Sequence, residues 1–226
     1  MSNNDQKWLQ EKYPGLTIAR ENGIQIVSGD FKFDAIFDDK RITDTYEVRI
    51  ELQGNQFSDL PKVIETGSRI RKISAEREIP LSDLHSYEDG SACLCVKLVE
   101  SGYFLEGFSF PIFIKELIIP FFYAQSFFED FNDWPWETYS HGKLGWIEWY
   151  LDQKYVSPEI TDNFLKKLKS TQDWQHIQNE LGKKGGVKGH HQCICGSSLR
   201  YRNCHKKVFR GFWKLQQDAK EFSILI

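Results

Sequence analysis

Two stretches of this 226-residue chain hold residue types whose spacing could do chemistry. The first is Glu88-Asp89-Gly90-Ser91-Ala92-Cys93-Leu94-Cys95. An Asp-Gly turn runs into small residues and then into a cysteine with apolar neighbours. A loop-borne thiol becomes a nucleophile once ionised; the same stretch also reads as a buried loop with two idle thiols. Cys93 is expected to be exposed and Cys95 buried. The second stretch is Cys193-Ile194-Cys195-Gly196-Ser197-Ser198, followed by Tyr201 and then Cys204-His205. Three thiolates and one imidazole, from Cys193, Cys195, Cys204 and His205, suit a closed tetrahedral zinc site with a structural role. His190 and His191 lie close by but are expected outside a ligand set that is complete without them. A segment this small and polar should not fold without its metal. The basic residues around it, from Lys183 to Arg210, read either as a solvated face or as a docking surface for an acidic protein or nucleic acid.

The elements that must position these residues follow from periodicity. Residues 6–13 form a short amphipathic helix ended by Pro14-Gly15. Thr17 to Ala19, Ile24 to Val27, Phe31 to Phe37 and Ile42 to Leu52 read as strands. The last two alternate apolar and polar residues, and Asp38-Asp39-Lys40 forms the turn between them. Leu60-Pro61-Lys62-Val63-Ile64-Glu65 adds a short strand opened by proline. The sum is an antiparallel meander with one wet face. Ser68 to Leu84 is charged and reads as a solvated loop. Leu94 to Val99 reads as a short extension after the turn. Phe110 to Phe131 is helical but interrupted at Pro120, which predicts one kinked helix or two short ones. Ile147 to Leu151 is a further short helix. Ser157-Pro158 starts a helix reaching about Lys169. Ser170 to Asp173 offers a capping box for a helix stopped at Gly182, and Lys183 to Gly186 is a flexible joint.

Bulk properties narrow the class. Hydrophobic residues make up 40% and aromatics 15%, enough for a sizeable core. A formal net charge of −3 excludes a basic field across the whole protein, so nucleic acid is not an expected partner, although a local patch near the C-terminus stays open. The run from Phe108 to Phe128 contains Lys115-Glu116, two prolines and Gln125, so a buried helix is expected and no membrane partner. The polar N-terminus lacks the apolar core of a signal peptide. A cytoplasmic protein is therefore expected, with reduced or metal-bound cysteines.

Two resemblances sharpen this picture. Residues 189–210, with Cys193, Cys195, Gly196, Ser197, Tyr201, Cys204 and His205 at matching positions, resemble the SEC-C motif, a zinc knuckle found at the C-terminus of the SecA translocase and in many other bacterial proteins. Residues 5–152 resemble the ubiquitin-conjugating (UBC) fold. Tyr46 to Leu52 looks like its central strand, Phe57 to Val63 like its proline-rich stretch, and His85 with Gly90-Ser91-Ala92-Cys93-Leu94 like its active-site segment. The fold class expected is α+β: a UBC-like antiparallel meander flanked by helices, plus a small C-terminal zinc knuckle. The implied domains are 1–152, a helical linker 153–188 and the zinc module 189–226.

The resemblance implies a transferase that carries a ubiquitin-like modifier, or a partner protein's C-terminus, on Cys93 as a thioester and passes it to an amine. An activating enzyme would supply it. The relatives suggested are bacterial proteins of antiphage defence operons, including the cyclic-oligonucleotide (CBASS) type, where the conjugated partner is a cyclic-oligonucleotide synthase. The chain departs from the family where His-Pro-Asn is usual: it has His85-Ser86-Tyr87, and the interval to the cysteine is shorter by two. Oxyanion support then falls to Tyr87, Ser91 or backbone N–H groups. His85 reads as a structural residue or a base. His141, in the Ser140-His141-Gly142 turn, reads as a turn residue or a member of the site. The alternative is an inert UBC-like (RWD-like) binding module.

Overall fold

The computed structural model describes residues 1–52, 60–96 and 108–226. The chain forms two compact units, Met1–Glu137 and Thr138–Ile226. The first is α+β. Helix α1 (Asn3–Lys12) begins at a capping box in which Ser2 and Asp5 satisfy each other's backbone N–H groups. A four-stranded antiparallel sheet follows in the order β1 (Leu16–Glu21), β2 (Ile24–Phe37), β3 (Lys40–Leu52), β4 (Lys62–Glu65). The two stretches read as separate strands at 24–27 and 31–37 are one continuous β2. Its hairpins turn at Asn22-Gly23 and Asp38-Asp39, where both central residues have positive φ, the twist that two-residue hairpin loops require. Residues Phe57 to Asp59 of the proline-rich stretch, and the extension beyond Val96, lie outside the described residues.

One face of the sheet is apolar and must be covered. The cover comes from α3 (Phe110–Phe113), a π-helical turn (Ile114–Ile118) and α4 (Ile119–Phe131). Pro120 sits in the first turn of α4, directly after the π turn, so its missing N–H falls where the helical ladder is already offset. Phe122 packs between Phe31 and Tyr46, with ring centroids 5.8 and 4.5 Å away. Both are fully or almost fully buried.

Residues 68–84 are not a solvated loop. They form α2 (Arg69–Arg77) and a 3-10 turn (Leu81–Leu84). Ile70 and Ile73 bury one side of α2, and its arginines tie it to the rest. Arg69 donates to Glu129 (2.7 Å) and Asp44 (3.0 Å) and lies over the Tyr46 ring. Arg77 donates to the Phe128 and Glu129 carbonyls, capping the end of α4. Among the described residues no helix is long and apolar enough to cross a membrane.

The second unit is helical: α5 (Gly142–Asp152), α6 (Pro158–Lys169), α7 (Trp174–Leu181) and α8 (Lys206–Glu221). The expected boundary at 152 and linker at 153–188 give way to a division at 137. The reason is packing: α5 lies along α8, while α6 and α7 bury Phe164, Leu165, Leu168, Ile177 and Leu181. Ser157 caps α6 as its sequence suggests, but Asp173 gives α7 no side-chain cap. At Gly211 the two backbones approach so closely that a Cβ would collide with the Ile147 carbonyl and side chain.

Two outcomes follow. Gly211→Ala should destabilise the second unit by about 1–3 kcal/mol, read as faster hydrogen exchange in α5 and α8. In the first unit burial raises the Asp44 carboxyl, but Arg69, the Ser126 hydroxyl and the Thr45 N–H outweigh it and hold the group below its ordinary value. Its contribution is therefore fully present above the unfolded value, about pH 4, and is lost as pH falls through the lower folded value. The stability gap between the parent and Asp44→Asn, read from hydrogen exchange in β3, should narrow from pH 7 to pH 3.

Candidate functional sites

The cysteine segment of the first unit is fixed through its backbone. Asp89 holds the turn: one carboxylate oxygen accepts from the Ser91 N–H (3.0 Å) and hydroxyl (2.5 Å), and the other pairs with Lys62 of β4 at 2.7 Å. The lysine above all, then Ser91, keeps that carboxyl far below the usual carboxylate range. Gly90 takes the positive φ, 82°, that the turn needs. Arg71 of α2 donates to the Glu88 carbonyl. The chain then runs beside β4. Ser91 bridges Ile64, the Ala92 N–H donates to Val63 O at 2.8 Å, and the Cys93 N–H donates to His85 O at 2.7 Å.

Behind this segment, Gln125 of α4 donates to the Leu84 carbonyl at 2.8 Å in a buried setting. Leu84 closes the 3-10 turn, and His85 leaves it with a left-handed backbone. The His85 ring meets Trp134 edge-on at 5.3 Å, and Trp134 stacks on Phe128 of α4. Tyr87 is exposed, with its backbone paired to Ser91 and Gly90. Ala92, Leu94 and Cys95 pack against the core; Cys93 is half-buried and stands outside that cluster. The expected contrast between the two thiols is absent, since Cys95 is also half-buried.

His85 and Tyr87 thus share backbone hydrogen bonding with the Cys93 segment. His141 belongs to the second unit, where it is the exposed residue before α5. Gln125 and Trp134 are the positioning residues that sequence reading missed. A glutamine inside an aromatic helix was the available signal for the first.

In the second unit the four expected ligands meet. Sγ of Cys193, Cys195 and Cys204 and a ring nitrogen of His205 lie within 4.8 Å of one another, a group that could hold a metal ion. Cys193 Sγ is 3.3 Å and Cys204 Sγ 3.1 Å from His205 Nδ1, and Cys195 and Cys204 Sγ are 3.4 Å apart. Local backbone makes this cluster. Gly196 and Ser198 have positive φ, folding the chain so that the Cys193 N–H reaches Leu199 O at 2.8 Å. Tyr201, fully buried, begins the 3-10 turn that delivers Cys204. Ser197 Oγ lies 3.1 Å from Cys195 Sγ and 3.2 Å from Cys204 Sγ. His191 accepts the Lys188 N–H at Nδ1 and stands, with the exposed His190, outside the group.

Burial, reinforced by the neighbouring thiols, pushes the Cys193 thiol up to about 12. For Cys195 burial acts the same way, but Ser197 and the adjacent thiols override it and bring the group down to about 6. One thiolate forms readily here. Three in contact need a cation, which is how metal binding releases protons. Metal analysis of the purified protein should give about one equivalent per chain, and Cys204→Ser should lose it together with hydrogen-exchange protection in residues 189–205. A metal-free protein with that protection intact would refute the site.

Comparison with protein-family models, curated proteins and solved structures finds no match to this chain.

Proposed function

We propose that the first unit is a thioester carrier of the ubiquitin-conjugating type, and that the second holds a structural zinc ion in a SEC-C-like knuckle. The observation that carries the first reading is the placement of Cys93. A four-stranded meander ends at β4, the chain turns at Asp89-Gly90, and two backbone hydrogen bonds fix Ala92 and Cys93 against β4 and His85 while Cys93 is half-buried and outside the core cluster. A carrier needs this combination of rigid backbone and reachable sulfur. Three sulfurs and one imidazole nitrogen favour zinc among the metals, and a complete four-ligand set favours a structural role.

The chemistry proceeds in two exchanges. The Cys93 thiolate, its proton given up to solvent, attacks the activated C-terminal carbonyl of a modifier, and the donor's sulfur leaves as a thiolate that takes a proton from solvent. An amine then attacks the Cys93 thioester, forming an amide, and Cys93 departs as the thiolate while the amine's proton passes to solvent or a base. The oxyanion formed in each step needs a donor. The N–H groups of Ser91, Ala92 and Cys93 are already committed, and the Ser91 hydroxyl donates to Asp89. The donor we assign is Tyr87, which stands where the family has its asparagine, beside His85, and whose ring is exposed. His85 acts as a positioning residue: its carbonyl receives Cys93 and its ring rests on Trp134. The modifier is a ubiquitin-like protein, or a partner such as a cyclic-oligonucleotide synthase, supplied by an activating enzyme in the bacterial cytoplasm. That part of the reading rests on the family resemblance.

The missing asparagine favours a second reading, an inert binding module of the same fold. A peptide thioester ending in Gly-Gly separates the two. Intact-mass measurement should show the peptide on the protein, removable by dithiothreitol, forming about tenfold faster than on free glutathione. Cys93→Ala should abolish the adduct and Cys95→Ala should not. Adduct surviving in Cys93→Ala and lost in Cys95→Ala would move the nucleophile. No adduct above the glutathione rate would leave the binding module. Tyr87→Phe should load normally and slow transfer to lysine by about 10- to 1,000-fold.

A further inference from the structure

The modest charge of the whole chain conceals a sharp division. Residues 182–217 hold nine Lys and Arg, three His and no Asp or Glu. With 29 basic and 32 acidic residues in total, the rest of the chain carries 20 against 32, a deficit of 12. The nine basic residues also differ among themselves. Lys183, Lys207 and Lys214 are half-buried and pair with Glu180, Asp152 and Asp218. The other six, Lys184, Lys188, Arg200, Arg202, Lys206 and Arg210, are all exposed, and among the described residues none pairs with a carboxylate.

Five of them, all but Arg200, lie on α8 or in the segments beside it. Lys206, Arg210 and Trp213 follow one face of α8 at spacings of four and three residues. The loop from Lys184 to Gly189 lies along that face. Gly186, at φ 78°, touches the Trp213 ring where a Cβ would crowd it. Gly189 abuts Phe209 and the Arg202 side chain, and accepts the Arg202 N–H at 2.9 Å. The Arg210 guanidinium lies over the Phe209 ring. Trp213, held along one edge by the loop, remains 51% exposed.

We propose that this face binds single-stranded nucleic acid, its unpaired cations following the phosphates and Trp213 serving as a stacking platform for a base. Charge complementarity requires a polyanion. The exposed indole among arginines selects nucleic acid over an acidic polypeptide, since a flat aromatic surface flanked by guanidiniums matches the alternation of base and phosphate. The assignment stands on the surface of the second unit and is independent of Cys93.

The test uses the full chain with its metal and a labelled oligothymidylate of about 15 nucleotides, followed by fluorescence anisotropy from low to moderate salt. Binding should weaken with a log–log salt slope of about −3 or steeper, as four or more phosphate contacts require. Arg202→Gln/Lys206→Gln/Arg210→Gln should lose at least about 30-fold in affinity at low salt. Trp213→Ala should lose about fivefold or more and remove the quenching of tryptophan emission that the oligonucleotide causes in the parent protein. Metal content and helicity must match the parent; if the triple variant fails this, Lys184→Gln/Lys188→Gln takes its place, with the same direction of effect. Poly-glutamate of equal length should compete poorly. Equal or tighter binding of poly-glutamate would overturn the proposal in favour of an acidic protein partner. A flat salt slope, or unchanged affinity in the charge variants, would overturn it outright.

Discussion

The seam between α4 and the sheet is the constraint on which the first unit depends. A meander with one wet face leaves Phe31, Phe33, Tyr46 and Val48 to be covered, and α4 covers them with an aromatic ring, Phe122, wedged at the centre. Once that ring is seated, other residues of the same helix have fixed targets. Ser126 reaches Asp44 and Tyr46, Gln125 reaches the Leu84 carbonyl, and the end of α4 receives the Arg77 cap. Leu84 precedes His85, whose carbonyl receives Cys93. The position of the thiol thus follows from core packing through two buried or half-buried hydrogen bonds, and not from its own loop alone. Removing the Gln125 amide would strand a buried carbonyl, a loss of about 1–3 kcal/mol spread over the elements that hold the cysteine.

The sequence displays some of this arrangement directly and hides the rest for a physical reason. Strands are legible because their alternation is local: Tyr46, Val48, Ile50 and Leu52 are all buried on the face that the pattern assigns. The metal group is legible because its ligands lie within 13 residues and a glycine turn does the folding. Helix α2 is hidden because its local signals are weak: its first N–H groups, of Arg69 and Ile70, are received by the Glu65 carboxylate, which the sequence places at the end of a strand. Its first flanking residue, Ser68, is left-handed and forms no cap, and its apolar side is only Ile70 and Ile73. The rest of what holds it is tertiary: Arg69 against Asp44 and Glu129, and Arg77 against the end of α4. Charges that read as solvation are the anchors. The division at 137 is hidden in the same way, since α5 finds its partner in α8, more than 50 residues later, at a glycine chosen for backbone approach.

The cysteine site is intermediate. Its turn is written in Asp89-Gly90 and its thiol in Cys93, both local. The relative exposure of Cys93 and Cys95 is not local, because it depends on which residues of the segment pack inward. Ala92, Leu94 and Cys95 do, which places the contrast in the environment of each sulfur and not in how much of it is covered.

The second unit meets an opposite problem. Thirty-six consecutive residues with nine cations and no anion repel one another, and burial of Val187, Tyr201, Val208, Phe212 and Leu215 works against that repulsion. Its structure resolves the conflict in two places. The cations nearest the core are neutralised by acids supplied from outside the segment, at Asp152, Glu180 and Asp218. The cysteine–histidine cluster is the second: a divalent ion held by its three thiolates would leave one net negative charge in the middle of the basic stretch, and its binding energy would add to what burial supplies. The six cations without a carboxylate partner are therefore a property the fold sustains at a cost, and a polyanion seated on them would relieve that repulsion.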